Sequence, residues 1–319
     1  MGRILIDTDT ASDDAVALMM ALRSPQVSVE AITVVAGNCP LAQATSNALY
    51  TAELCGSEVP VFSGAGEPLA RELEVADWFH GKDGLGDHGF KPVRKPAETE
   101  HAVDAIIRIA RANPGIELVT LGPLTNIALA IDRDPSIVSK ISRCVVMGGA
   151  PNCEGNVTPA AEFNIWVDPE AARIVFRSGL PIEMVGWQLC RGDAVFNQQD
   201  IAALHALQTP LAEFAVECNS TAIEAYRRQT GEIGISLPDP VAMGILLQPE
   251  LCLHSSMHYV EIETTGQFTR GMTVVDRLNV TQDERNRELW AKTQLQPPAH
   301  ICWMLDVPRW KRLVIDSLR

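Results

Sequence analysis

The chain has 319 residues, with 26 Lys or Arg against 40 Asp or Glu, a formal net charge of −14, and 46% apolar content. That length and composition allow one large or two medium folded domains, while the acidity and the lack of a long basic run argue against nucleic acid or an anionic membrane surface as partner. No stretch approaches the roughly 18 apolar residues of a spanning helix, and Ile4-Leu5-Ile6 behind Met1-Gly2-Arg3 is too short for a signal-peptide core, so a cytoplasmic protein is expected.

In chain order, Arg3–Ile6 reads as a buried strand and Asp14–Leu22 as the helix after it. Strand Val29–Val35, helix Leu41–Leu54 and strand Pro60–Phe62 follow. The segment Asp77–Gly89 holds four Gly, two His and three Asp, with Trp78 and Phe79 near its start. It reads either as a surface loop or as a lid over a site. Next come helix His101–Ala112, strand Glu117–Leu121, helix Asn126–Asp132, strand Arg143–Met147, helix Asp168–Arg177 and strand Pro181–Val185. Helical patterns cover about 199–228 and Asp239–Leu247. Met257–Glu263 and Met272–Arg277 alternate around Thr265-Gly266 as a hairpin does. The Trp303/Trp310 region reads as a C-terminal helix ending at Leu318. The strands are short, rich in Val, Ile and Leu, and nearly continuous in apolarity, as parallel strands covered on both faces are. Their alternation with helices predicts one α/β domain over residues 1–319, with a mostly parallel central sheet and helices on both faces. The eight cysteines are scattered without a C-x-x-C pair, so reduced, mostly buried thiols are expected.

The opening segment Asp7-Thr8-Asp9-Thr10-Ala11-Ser12-Asp13-Asp14 puts four carboxylates within eight residues, between a strand and a helix. In an open α/β sheet that is a strand's C-terminal end, where ligands bind. Clustered carboxylates repel unless a cation or raised pKa values offset them, and a hard divalent cation is the natural partner. Asp239, in Leu237-Pro238-Asp239-Pro240, is a second acidic point before an apolar helix, and alone reads as a cap. Asn156, Glu162 and Asn164 lie beyond the strand ending at Met147, and their amides and carboxylate suit sugar hydroxyls. Leu121-Gly122-Pro123-Leu124-Thr125-Asn126 sits at another strand end and exposes backbone carbonyls.

Together these segments resemble the inosine–uridine type nucleoside hydrolase family. The resemblance rests on Asp7, Asp9, Asp13 and Asp14, Gly37-Asn38, His80-Gly81, Gly122 to Asn126, Asn156 with Glu162-Phe163-Asn164, and Asp239. It implies a Rossmann-like core with a C-terminal hairpin and helix, and a Ca²⁺ enzyme that hydrolyses the N-glycosidic bond of ribonucleosides. The resemblance implies one calcium per subunit, bound by Asp9, Asp14, Asp239 and the backbone carbonyl of Leu121. It puts Asp13, Asn38, Asn156, Glu162 and Asn164 around the ribose, and makes Asp9 the general base toward a calcium-activated water. An oxocarbenium-like transition state would be stabilised by the facing carboxylates. A 2′-deoxynucleoside would leave part of this site unpaired and be discriminated against.

One position departs from the family pattern. Many members carry His before the late calcium-binding Asp, as proton donor to the leaving base, and another branch has Trp; here the residue is Pro238. The proton then falls to His80, Tyr226 or solvent, and Trp78 offers a stacking face. Trp187 reads as a packing residue. Purine or pyrimidine preference stays open, as does an unusual N-riboside as substrate. The resemblance implies a homodimer or homotetramer. Two other classes compete: a non-catalytic nucleoside or sugar binder, and a haloacid-dehalogenase-type phosphatase, whose first motif Ile4–Thr10 also resembles.

Overall fold

The structure is a computed structural model that describes residues 2–91, 95–286, 288 and 297–319. Its elements in chain order are β1 (Gly2–Thr8), α1 (Ser12–Arg23), β2 (Val27–Val34), α2 (Leu41–Leu54), β3 (Val61–Ser63), the one-turn α3 (Asp77–His80), α4 (Ala102–Ala112), β4 (Ile116–Thr120), α5 (Thr125–Arg133) and β5 (Ile141–Met147). There follow α6 (Phe163–Val167), α7 (Pro169–Phe176), β6 (Ile182–Val185), β7 (Phe196–Asn197), α8 (Gln198–His205), α9 (Pro210–Glu217), α10 (Ser220–Thr230), β8 (Gly234–Ile235) and α11 (Pro238–Leu247). The chain ends with β9 (Cys252–His258), β10 (Val260–Ile262), β11 (Thr273–Val275), β12 (Ala299–Leu305) and α12 (Val307–Ser317).

Eight strands form one sheet in the order β3-β2-β1-β4-β5-β6-β12-β9. All neighbours are parallel except β9, which runs antiparallel to β12. The first six follow the 3-2-1-4-5-6 order of doubly wound dinucleotide-binding folds, whose ligand crevice opens where the winding reverses, between β1 and β4. Burial on both faces explains the apolar runs. In β1, Ile4 and Ile6 enter one core and Leu5 the other; in β4, Val119 shares the first core and Leu118 the second. Helices α1, α2, α9, α11 and α12 cover the first face, and α4, α5 and α7 the second.

Helix amphipathicity follows the same division. In α4, Val103, Ile106, Ile107 and Ala110 are buried while Arg108 and Arg111 face outward. Trp310 and Val314 of α12, and Leu318 just past its end, reach the core at four-residue spacing. The Trp310 indole N–H donates to the Pro240 carbonyl at 2.8 Å. A Cβ on Gly244 would meet the Trp310 ring at 2.8 Å, so only glycine lets α11 and α12 approach this closely. Through these contacts α12 fixes the first turn of α11, the turn that carries Asp239.

The six strands expected in the first two-thirds of the chain all occur, with ends shifted by a few residues. Three readings are corrected. Trp303 lies on strand β12, between β6 and β9, rather than on the final helix; only Trp310 is helical. The Met257–Glu263 segment is not one strand: its start closes β9 in the main sheet, and β10 then pairs with β11 as the expected hairpin. The 77–89 segment opens with a helical turn rather than being loop throughout. Among the described residues, no helix is long and apolar enough to cross a membrane.

Candidate active site

The acidic opening segment leaves the C-terminal end of β1 and enters α1, and its four carboxylates have separate surroundings. Asp7 still belongs to the strand. Its Oδ1 accepts from the Thr33 hydroxyl at 2.6 Å and the Asn126 amide at 2.9 Å, tying β1 to β2 and α5. Asp9, one turn of chain further, is fully buried. Its Oδ2 accepts from the Asn38 backbone N–H at 2.6 Å, and its Oδ1 has no hydrogen-bond partner. A Cβ on Gly37 would lie 2.1 Å from Asp9 Oδ2, and one on Gly122 2.6 Å from Oδ1. The two glycines therefore form a slot that only this carboxylate fits.

Asp13 and Asp14 stand in the first turn of α1, where the helix N-terminus favours negative charge. Asp14 accepts from the Thr8 hydroxyl at 2.5 Å, the Ala11 N–H at 2.9 Å and the Asn38 amide at 3.4 Å. Asp13 Oδ1 is buried without a hydrogen-bond partner and lies 3.8 Å from His80 Nδ1. Asp239, buried in the first turn of α11, arrives from the far end of the chain. One carboxylate oxygen from each of Asp13, Asp14 and Asp239 falls within 4.8 Å of the others. The tight trio thus contains Asp13, with Asp9 beside it rather than in it. Among the described residues, none of these four carboxylates has a Lys or Arg ion-pair partner.

Burial without a counter-charge makes ionisation costly. Burial and then the Asp14 charge raise Asp9 well above the usual carboxylate range, and the same causes raise Asp13 to about 8. Burial, then Asp14, Asp13 and Asp9 in turn, raise Asp239 well above that range too. Two orphaned oxygens, a trio of converging carboxylates and nearby carbonyls form a hard-donor set suited to a divalent cation.

The second half of the site lies at the ends of β4 and β5. The Leu121 carbonyl, just past β4, accepts from the Asn164 amide at 2.7 Å. After β5 the chain turns through Gly148-Gly149, and the Gly149 N–H donates to Glu162 Oε2 at 2.8 Å. Glu162 caps α6 by accepting from the Asn164 N–H at 2.9 Å and the Ile165 N–H at 3.4 Å. Burial outweighs these bonds and raises Glu162 to about 6. Asn156 Oδ1 accepts from the Phe163 N–H at 2.9 Å, which leaves its NH₂ group available.

A cavity of about 320 Å³ opens over these groups. Asp13, Asn38, Leu121, Asn156, Glu162, Asn164 and Asp239 line it with polar groups, and Trp78, His80 and Tyr226 line it as well. Asp9 and Asp14 are not on the wall. His80 Nδ1 pairs with the Ser12 hydroxyl at 2.8 Å, and burial lowers its pKa to about 3, so the ring is neutral at physiological pH. Trp78 is 51% exposed at the rim. Sequence reading missed Arg191, Gln229 and Thr230 on the wall; Phe79, from the segment read as loop or lid, and Trp187, read as packing, line it as well. Trp187 follows the end of β6, so the position after a strand end was the available signal.

Fold and site therefore define an α/β protein with a cavity lined by buried acids and amides at the sheet's switch point. The model of the inosine-uridine preferring nucleoside hydrolase family matches residues 4–312. The pyrimidine-specific ribonucleoside hydrolase RihA of Shewanella woodyi is 41% identical over 289 residues, covering 89% of this chain and 91% of that protein. A solved plant nucleoside hydrolase, the PpNRh1 enzyme, superposes with a TM-score of 0.93 at 31% identity, covering 99% of this chain and 98% of its own. The purine-preferring ribonucleoside hydrolase of Gardnerella vaginalis gives 0.86 at 30%, with 99% and 98% covered. The chain belongs to the inosine-uridine preferring nucleoside hydrolase family, enzymes that cleave the N-glycosidic bond of ribonucleosides. Membership sets aside the phosphatase and binding-protein readings.

Proposed function

We propose that this ribonucleoside hydrolase is Ca²⁺-dependent, that Asp9 is its general base, and that it prefers pyrimidine ribonucleosides. The observation that carries the reading is the pair of buried, unpartnered oxygens, Asp9 Oδ1 and Asp13 Oδ1, beside converging Asp14 and Asp239. Asp9, Asp14, Asp239 and the Leu121 carbonyl would hold the ion, an all-oxygen set of the kind calcium takes. Bound there, calcium would supply Lewis acidity toward a water and oxygen-ligand affinity toward the ribose hydroxyls.

The protein groups do the rest. Asp9 is fixed by the Asn38 N–H and the glycine slot, and its free Oδ1 accepts the proton from the attacking water. Asp13 offers its unpartnered oxygen to a ribose hydroxyl, with Asn38, Asn156, Glu162 and Asn164 around the same sugar. Buried carboxylates beneath the ring stabilise positive charge as the C1′–N bond lengthens. At the base end, Trp78 offers a stacking face and Tyr226 a hydroxyl. Neutral His80 is a poor acid, so Tyr226 or water supplies the leaving base's proton. The preference for pyrimidine bases is supported by the likeness to RihA, which exceeds that to the purine-preferring enzyme. The cytoplasmic location, the homodimer or homotetramer and the reading of residues 1–319 as one domain belong to the same proposal.

The test is a reducing-sugar assay on a panel of ribonucleosides, with and without chelator. Uridine and cytidine should release ribose fastest, and chelation should abolish it. The matching 2′-deoxynucleosides should react at least about 100-fold more slowly, because buried groups built for a hydroxyl are left unpaired. Deoxyuridine cleaved as fast as uridine would overturn the ribose assignment, and equal rates across all bases would overturn the pyrimidine preference.

A further inference from the structure

We propose that Glu183, Cys252 and Cys302 form a second metal site, for a thiophilic divalent cation of the Zn²⁺ type. The three residues come from β6, β9 and β12, with β12 between the other two. One ligand atom from each lies within 4.8 Å of the other two. Cys302 Sγ is 3.3 Å from Glu183 Oε1. Donors around a tetrahedral zinc stand about 3.5–3.8 Å apart, the edge set by bonds of about 2.0–2.3 Å, so small side-chain shifts complete the arrangement. Cys302 is buried and Cys252 half-buried, so an ion enters past Cys252. Water or an exogenous ligand takes the fourth position.

The surroundings orient the carboxylate. Arg143 on β5 donates from Nε to Glu183 Oε2 at 2.7 Å, which leaves Oε1 toward the sulfurs. Arg143 is itself held by Glu117 at 3.3 Å and by the carbonyls of Ile245 and Leu246 at 3.0 and 3.2 Å. Such supporting bonds aim a ligating carboxylate. One divalent cation offsets two of the three negative charges of two thiolates and a carboxylate, and the Arg143 guanidinium, shared between Glu183 and Glu117, offsets part of the third. Sulfur donors favour zinc over calcium or magnesium, which separates this site from the all-oxygen one. The two sites also lie apart along the strands. Glu183 is in the first half of β6, while the aspartates gather beyond the C-terminal ends of β1 and β4. The hydrogen bond between the two thiols, and then burial, push Cys302 up, while the same hydrogen bond holds Cys252 below the usual thiol value against the opposing effect of its burial. Binding therefore releases protons and tightens as pH rises. The bound ion ties the antiparallel edge strand β9 across β12 to the parallel sheet.

The test uses the full chain, purified under reducing conditions, saturated with Ca²⁺ and titrated with Co²⁺ as a spectroscopic probe. One equivalent should produce sulfur-to-cobalt charge-transfer absorption that Zn²⁺ displaces, and Zn²⁺ should raise the melting temperature. Cys252→Ser, at a half-buried position outside the active site, should keep wild-type ribose release and lose the band, with Zn²⁺ affinity down at least about 10-fold. Glu183→Gln should weaken the band without removing it. A wild-type protein with no thiolate band, a band that survives in Cys252→Ser, or thiols found joined as a disulfide would each overturn the proposal.

Discussion

Asp9 and Glu162 are both buried carboxylates, yet their hydrogen bonds give them different work. Asp9 keeps one oxygen unpartnered, whereas both Glu162 oxygens accept backbone N–H bonds. Asp9→Asn keeps the shape and the Asn38 contact but cannot accept a proton, so ribose release should fall about 100- to 10,000-fold. Steady-state rates with circular dichroism as a fold control check this; a variant within a factor of a few of wild type removes Asp9 from the base role. Glu162 gives a pH signature. It titrates at about 6 in the folded protein against 4.5 ordinarily, so the folded state holds an extra proton between those values. Its contribution to stability, on the order of 2 kcal/mol, is present below about pH 4.5 and lost as pH rises through about 6. The ribose-binding role proposed for Glu162 requires the carboxylate, so activity runs the other way: kcat/KM should climb with an apparent pKa near 6. Glu162→Gln should abolish that limb, and an unchanged limb would assign it to another group. The acids were legible in the sequence because Asp7 to Asp14 crowd into one short segment. Arg191, Gln229 and Thr230 were not, since each is an ordinary polar residue until the segment after β6 and the end of α10 converge on the cavity.

Elements aim these side chains. The groups proposed to hold the cation sit at the ends of β1 and β4 and in the first turns of α1 and α11, all anchored in the doubly covered sheet. Gly122, just past β4, leaves room for Asp9, and its replacement by Ala would put a Cβ 2.6 Å from Asp9 Oδ1. Gly122→Ala should therefore fold but bind Ca²⁺ at least about 10-fold more weakly by titration calorimetry, because ligand geometry sets affinity. Unaltered affinity would mean that Asp9 does not ligate. The part of the wall proposed to take the base is built differently, from a single turn, α3, and the C-terminal half of α10. Trp78→Ala there should raise KM about 10-fold with little change in kcat, in line with about 1–3 kcal/mol for base stacking. A fall in kcat alone would instead make this turn part of the chemistry. Strand periodicity exposed the first six strands because each is apolar on both faces. It failed for β12, where Ala299-His300-Ile301-Cys302-Trp303 mixes polar and apolar residues without alternation. That strand is defined by its pairing to β6 and β9, a long-range fact absent from the local sequence.

At the scale of the whole molecule, a chain of net charge −14 buries several of its acids together at one end of its sheet. Without a cation this is a cost to folding, and the fold tolerates it by keeping protons on them. Burial and the Asp14 charge raise Asp13 to about 8, and Asp9 and Asp239 lie well above the usual range. Carboxyls whose folded pKa exceeds the unfolded one stabilise the protein only while protonated, so the cation-free protein should lose stability as pH rises toward and past 8. Calcium should reverse that trend, since it binds the ionised cluster of the folded state and not the unfolded chain. At 100 times its dissociation constant it should add about 2.7 kcal/mol. The increment should be larger at about pH 8.5 than at about pH 6, where protons compete for the same oxygens. Thermal melts at both pH values, with Ca²⁺ and with chelator, measure it directly. An increment equal at the two pH values would place the stabilising ion away from the aspartates, and the absence of any increment would remove calcium from the site.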